Sequence, residues 1–276
     1  MRVGIVAGGG AFPGEIAEAA RAAGHDVYVL MIAGFAEQAL ARFPHGMAEI
    51  VDPDRVFALL RGASVDVIVF AGGVRRPAAS TLFALATSSH KREIVRRLLG
   101  GGDDHLLRAV VTMFEEEGFS VVAPETVAPG ILIGAGQGGV APFAAEWHGD
   151  LQRARDVLAA LSPFDVGQGC VVARGQILAI EGPEGTDAML ERVARMRRRF
   201  PFGKPRETGG LLVKAPKRGQ ERRVDLPAIG PRTFANAARA GLTAVCVAAD
   251  EVIVIDRPAT IASADWHGVA LYGFTP

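Results

Sequence analysis

Residues 214–233 read KAPKRGQERRVDLPAIGPRT and gather five cations, Lys214, Lys217, Arg218, Arg222 and Arg223, before closing on a single aspartate, Asp225. Cations in such a run can neutralise phosphate oxygens. A carboxylate held beside them can orient water or take one coordination position of Mg2+. A solvated basic loop is the competing reading. It does not account for Pro227, Gly230 and Pro231, which restrict the backbone just after the charges. Leu226 precedes a proline and is driven toward extended geometry, so Asp225 is expected to be held rather than mobile. Gly230, Pro231, Arg232 and Thr233 then open a helix, whose first N–H groups point toward any nearby anion. Basic clamp, acid and helix start are the parts that phosphoryl transfer requires.

Other motifs are weaker. GAGQGG at 134–139 matches the dinucleotide fingerprint letter for letter, but Pro142 interrupts the helix that should follow. Asp156 falls inside a helical pattern instead of ending the next strand, so the stretch reads as a linker. In AGGGAFPG, Pro13 stands where the third glycine belongs, and the second strand ends without a carboxylate to hold a ribose. NAD is therefore not expected. GGGDDH at 100–105 reads as a helix start with Asp103 as cap, not as a metal site. REIV (92–95) and EEEGF (115–119) lie too far apart to form a Nudix box, and no spaced set of a dinuclear metallophosphatase occurs. MRRRF (196–200) reads as a solvated helix end.

Several elements must position these residues. RVGIVAGGG gives a buried strand over 3–7 and a glycine turn, followed by a helix with Pro13 in its first turn and Gly24 past its end. HDVYVLMI and VDVIVFAGGV are strands flanking the helix of DPDRVFALLRGAS. Helices at 89–99 and 103–117 and a strand at 120–123 follow. This alternation predicts a doubly wound, Rossmann-like parallel sheet over 1–130. Two of its strands end in Ala-Gly-Gly, at Gly8 and Gly9 and at Gly72 and Gly73, each with a proline downstream (Pro13, Pro77). Ligands bind at the carboxyl ends of strands in such sheets, so these turns are candidate contacts. The stretch 124–142 is rich in Gly, Pro and Ala and reads as the linker. The second α/β domain, 143–276, is expected to contain a helix at 150–161, a hairpin turning at Arg174 and Gly175, and a helix capped by Thr186 or Asp187. Strand GGLLVKA, helix RTFANAARAGL and strands TAVCVAA and EVIVID complete it.

The 276 residues suffice for two cores, and 49% hydrophobic content argues against disorder. A net charge of zero gives no field to attract nucleic acid. Residues 1–142 carry 12 Lys+Arg against 15 Asp+Glu, and 143–276 carry 18 against 15, so the second half is the better grip for an anion. Cys170 and Cys246 lie in apolar runs without a CxxC pair and read as buried, unpaired thiols. No basic leader precedes the first strand, and no apolar run approaches the ~20 residues of a spanning helix. A cytoplasmic protein is the expectation, free to touch a membrane surface without crossing it.

GIVAGGGAFP, GGVRRP, GDDHLLRAV, DVGQGCVV, IEGPEGTDAML and above all KRGQERRVDLPAIGPRT resemble the LpxI family, the UDP-2,3-diacylglucosamine pyrophosphatases of lipid A biosynthesis in Gram-negative bacteria. The one departure is Glu221, where aspartate would be expected. The resemblance implies a two-domain hydrolase with its ligand cleft between the domains. It would split the substrate's pyrophosphate with water and Mg2+ into UMP and 2,3-diacylglucosamine 1-phosphate. Asp225 would be the essential acid, as metal ligand or water-orienting base. Lys214, Lys217 and Arg222 would neutralise phosphate, with Gln220 and Thr233 in the same motif. Gly8, Gly9, Gly10, Ala11, Gly72 and Gly73 would face substrate from the first domain, and Gln168 and the Glu181 to Asp187 region, with Thr186 and Asp187, would line the cleft. The partner implied is a small lipid-linked UDP-sugar. Peripheral contact with the cytoplasmic face of the inner membrane and a homodimer are both compatible with it. The alternative is a non-catalytic nucleotide-sugar-binding or regulatory module using the same basic cradle.

Overall fold

The computed structural model describes residues 1–74, 103–198 and 208–276. The expected helix at 89–99, the REIV segment and the GGVRRP turn from Arg75 onward, with Pro77, lie outside the described residues. The chain forms two compact units. The first comprises Met1–Gly130 together with Glu221–Asp225, and the second comprises Ile131–Gln220 and Leu226–Pro276.

In the first unit, β-branched and aliphatic runs form the strands β1 (Arg2–Ala7), β2 (Asp26–Ile32) and β4 (Val67–Ala71), and the shorter β3 (His45–Ala48) and β5 (Ser120–Val121) complete the set. They pair in parallel in the order β3-β2-β1-β4-β5, the expected doubly wound sheet. The helix Phe12–Ala22 buries Pro13, Ile16, Ala17 and Ala20, the spacing of one helical face. The helix Pro53–Gly62 starts on Asp52, whose Oδ1 accepts the Arg55 N–H at 3.2 Å. With Phe114 from the helix Asp103–Glu116 and Val56, Phe57 and Leu60, the strands enclose an apolar core. Each such side chain contributes ~1.5–3 kcal/mol on burial. The order reverses between β1 and β4, which makes their carboxyl ends the switch point of the sheet. Gly8, Gly9, Gly10, Gly72 and Gly73 follow those two ends.

The second unit is built on a mixed sheet of β6 (Gly136–Gln137), β7 (Gly169–Ala173), β8 (Gln176–Ile180), β9 (Leu211–Lys214), β11 (Ala244–Ala248) and β13 (Ala270–Phe274), in the order β6-β13-β11-β9-β7-β8. Its centre, β9, β11 and β13, is parallel, and β6, β7 and β8 run antiparallel to their neighbours. A separate parallel pair joins β10 (Ala228–Ile229) to β12 (Ile253–Val254). The hairpin turns at Arg174 (φ 50°) and Gly175 (φ 74°), the two positive-φ residues of a type I′ turn. Cys170 and Cys246 are buried and unpaired, and burial pushes the Cys170 thiol up to about 11.

Three expectations change. The stretch 124–142 carries a short helix, Pro124–Val127, and from Ile131 it is laced into the second unit. Val254 N–H bonds the Ile131 carbonyl at 2.8 Å, and Gly138 N–H bonds that of Leu271 at 2.8 Å. GAGQGG is thus partly an edge strand. Its backbone comes so close to β13 that a Cβ on Gly273 would lie 2.0 Å from the Gly134 carbonyl oxygen. Second, Thr186 and Asp187 lie inside the helix Gly185–Arg198 rather than capping it. Third, Arg197 in MRRRF is buried, not solvated. Its guanidinium donates to the carbonyls of Ala240 (2.9 Å), Gly241 (3.0 Å) and Gly209 (2.8 Å), where a cation complements the end of the helix Pro231–Arg239.

Candidate active site

In the second unit, the sequence-derived residues collect around the carboxyl end of β9. Lys214 is the last residue of that strand and only 4% exposed. Its Nζ donates to Thr186 Oγ1 at 2.7 Å and to the Ala228 carbonyl at 3.2 Å, and lies 3.7 Å from Glu181 Oε2. Thr186 Oγ1 in turn donates to Glu181 Oε1 at 2.7 Å. This differs from the expectation of a Lys214 ammonium open to phosphate. The cation is enclosed, with oxygen partners supplied by the protein.

Past Lys214 the chain enters the basic loop. The Ala215 N–H bonds the Gln168 carbonyl at 3.1 Å, which fixes the start of the loop against the residue preceding β7. Gln220 is buried, and its Oε1 accepts the Lys217 N–H at 2.8 Å, tightening the turn that Gly219 (φ 75°) makes possible. Lys217 pairs with Asp165, and the Arg218 N–H donates to Ser162 Oγ. Thr233 is buried too. Its Oγ1 accepts the Gly230 N–H at 3.1 Å, so it caps its own helix. Asp187 joins Arg232 (2.8 Å) and Asn236 (2.6 Å), tying the first turn of the helix Gly185–Arg198 to the first two turns of the helix Pro231–Arg239.

The segment Glu221–Asp225 belongs to the first unit. The Glu221 carbonyl accepts the N–H groups of Val224 (3.2 Å) and Asp225 (3.1 Å), closing one turn, and Val224 packs on the core beneath the sheet. Arg223 grips both Glu221 oxygens (Nε to Oε1 and an NH2 group to Oε2, each 2.8 Å) and also reaches Glu115 Oε1 at 2.6 Å. These contacts hold the half-buried Asp225 in place, with Arg222 exposed beside it. The hydrogen bonds from Arg223 lower the Glu221 pKa below its ordinary 4.5, against an opposing push from burial. Glu221 also raises the Arg223 pKa.

A depressed carboxyl pKa stabilises the fold fully above the unfolded value, and that contribution disappears as pH falls through the folded value. Glu221→Gln is expected to cost on the order of 1–3 kcal/mol at neutral pH, the scale of charge-assisted hydrogen bonds. The gap to wild type should close below about pH 4.5. Urea unfolding across pH 3–8 measures this, and a gap independent of pH would contradict it.

The glycine turns of the first unit face one another. Gly8 N–H bonds the Ala71 carbonyl (2.8 Å), and Gly9 and Gly73 exchange a pair of backbone bonds (2.8 and 3.1 Å). A Cβ on Gly8 would stand 2.7 Å from the Gly73 oxygen, so Gly8 is required by this backbone contact itself. Gly10 and Ala11 are exposed at the start of the helix Phe12–Ala22, and Gly72 and Gly73 are exposed on the other turn.

Sequence reasoning did not assign Asp165, Ser162, Glu115 or Asn236. Each acts through a partner over 40 residues distant, and no local pattern signals that. Glu181 begins the segment that the resemblance places in the cleft, and the glycines of DVGQG mark its position in the fold. A Cβ on Gly167 would meet the Glu181 carbonyl oxygen at 2.3 Å, and one on Gly169 would meet its Oε2 at 2.4 Å.

Comparison with known proteins gives a consistent assignment. The LpxI N-terminal domain family matches residues 2–131, and the LpxI C-terminal domain family matches residues 135–272. The chain is 40% identical over 275 residues to the UDP-2,3-diacylglucosamine pyrophosphatase LpxI of Caulobacter vibrioides, covering 100% of this chain and 98% of that protein. Among solved structures, the UDP-glucose 4-epimerase of Thermus thermophilus in complex with NAD is 15% identical, covering 100% of this chain and 87% of that one, with a TM-score of 0.31. Glycinamide-RNase-transformylase T of Mycobacterium tuberculosis is 19% identical over 41% of this chain and 34% of that one, with a TM-score of 0.25. Likenesses this weak carry no argument. The two family matches and the full-length relative do: the chain belongs to the LpxI family.

Proposed function

We propose that this protein hydrolyses the pyrophosphate bond of UDP-2,3-diacylglucosamine to UMP and 2,3-diacylglucosamine 1-phosphate, a step of lipid A biosynthesis. The observation that carries this reading is the 40% identity along essentially the whole chain to a pyrophosphatase of that substrate. Water adds to one phosphorus and the bridging oxygen leaves with the other phosphate, so one diphosphate gives two phosphate monoesters. Asp225 is the acid assigned to this chemistry. Arg222 and Lys217 supply positive charge for the diphosphate, and the exposed turn residues Gly10, Ala11 and Gly72 supply backbone N–H groups.

Mg2+ fits the donor set in one way. Among the described residues no three His, Cys, Asp or Glu side chains converge as a metal cage. A single carboxylate suits a hydrated Mg2+ that takes its other ligands from water and substrate phosphates. Asp225 would be the protein ligand, and the ion would supply charge neutralisation on the phosphate oxygens. Among the described residues no helix is long and apolar enough to cross a membrane. We assign the acyl chains to an apolar groove of the protein and its work to the cytoplasmic face of the inner membrane. At about 0.8 kcal/mol per buried CH₂, leaving two chains in water would cost far more than the reaction could tolerate.

The test is direct. Purified protein with Mg2+ should release UMP and the sugar 1-phosphate one for one, chelation should stop the release, and added Mg2+ should restore it. Substrate that binds without turnover would identify a binding module instead.

A further inference from the structure

Glu181 and Lys214 are buried in the second unit and are joined through the partly buried Thr186. Glu181 and Lys214 are 9% and 4% exposed. Burying an ion pair is a poor route to stability, because desolvation cancels most of the attraction and an apolar trio of similar volume would serve as well. The chain nevertheless devotes two glycines to it. Gly167 and Gly169 do not have positive φ, so their backbone conformation does not call for glycine. Their missing side chains leave the volume that Glu181 occupies.

Hydrogen-bond directions explain what the arrangement does. Glu181 Oε1 takes the Thr186 hydroxyl proton, which turns a lone pair of the Thr186 oxygen to the Lys214 ammonium. A second ammonium proton goes to the Ala228 carbonyl. Lys214 and Ala228 are the two residues that bound the stretch 215–227, which carries Lys217, Gln220, Arg222 and Asp225. The ammonium therefore joins the two ends of the loop on which the candidate chemistry lies.

We infer that Glu181, acting through Thr186 and Lys214, is a positioning residue that closes the base of this loop and so holds its second-unit part, with Lys217 and Gln220, in place. Lys214 is then a staple rather than a phosphate ligand. This rests on the hydrolase reading above for its kinetic consequence, but not for its structural one.

Thr186→Val tests it with little change of shape, since only the hydroxyl is lost. Thr186→Ser restores the hydroxyl. In Thr186→Val, kcat is expected to fall ~10–100-fold, because a loosened loop no longer holds the Lys217 cation where charge develops on the phosphate. Amide hydrogen exchange across 215–227 should rise in Thr186→Val and return toward wild type in Thr186→Ser, as should kcat. Glu181→Gln, which keeps an acceptor but removes the countercharge that Glu181 gives the buried ammonium, should resemble Thr186→Val. If Thr186→Val lowers the melting temperature while kcat and loop exchange stay at wild-type values, the staple has no positioning role. The exchange measurement needs no substrate. An unchanged loop would overturn the inference even if wild type hydrolyses nothing, and a loosened loop in an inactive wild type would overturn only the assigned activity.

Discussion

Asp225→Asn is expected to reduce hydrolysis of UDP-2,3-diacylglucosamine at least ~10²-fold, the scale of losing a positioned acid–base group. The substitution keeps size and shape. The backbone bond from residue 225 to the Glu221 carbonyl and the anchoring of Val224 are untouched. What changes is charge: the amide neither orients water as a base nor holds Mg2+ as a carboxylate does. Substrate affinity should remain within a few-fold, since Arg222, Lys217 and the glycine turns remain available to the diphosphate. The variant should therefore copurify with intact substrate. Single-turnover UMP release and equilibrium binding separate the two effects. Normal turnover by Asp225→Asn would make the carboxylate a loop anchor and remove it from the chemistry.

Gly72→Ala should have a large effect on the stability of the first unit. Gly72 sits at φ 86°, where a Cβ costs ~1–2 kcal/mol. That Cβ would also stand 2.6 Å from the Gly9 carbonyl oxygen and 2.8 Å from Pro13 Cγ. The carbonyl cannot retreat without breaking its bond to the Gly73 N–H (3.1 Å). With overpacking at ~1–3 kcal/mol, the sum is a few kcal/mol, and the melting temperature of the first unit should fall on the order of 10 °C. Gly73→Ala is the internal control, because nothing lies within 4 Å of where its methyl would stand and its φ is not positive. Equal melting of both variants would show that the two turns are not held by this contact.

Much of the first unit was readable because its elements obey local rules. Apolar runs of strand length, Pro13 at a helix start, and paired Ala-Gly-Gly strand ends predict β1, β2, β4 and their helices. The short edge strand β3, HGMA, carries no such pattern and forms only because β2 offers it a partner. The glycines of 134–139 looked like a linker because close approach to β13 and flexibility call for the same residue. At the candidate site the charges of 214–225 were legible, and their partners were not. Lys214 reads like Lys217 in the sequence, yet one is enclosed by Thr186 and Glu181 and the other pairs with Asp165 near the surface. Burial of a cation depends on what other segments bring to it. That information is spread over the end of β8, the helix Gly185–Arg198 and β10 rather than written beside the lysine.

The first unit draws five of its residues, Glu221–Asp225, from far down the chain. A ribosome finishes Gly130 and must add roughly ninety residues before this segment exists, on the order of 5–20 s at ~5–20 residues per second. During that interval the nascent first unit lacks the Arg223 guanidinium that meets Glu115 and the cover that Val224 gives its core. The acid assigned to the chemistry arrives with the same segment. Translation thus delivers the last piece of the earliest-made unit and the reactive group together, so no nascent chain that ends before Asp225 carries the acid.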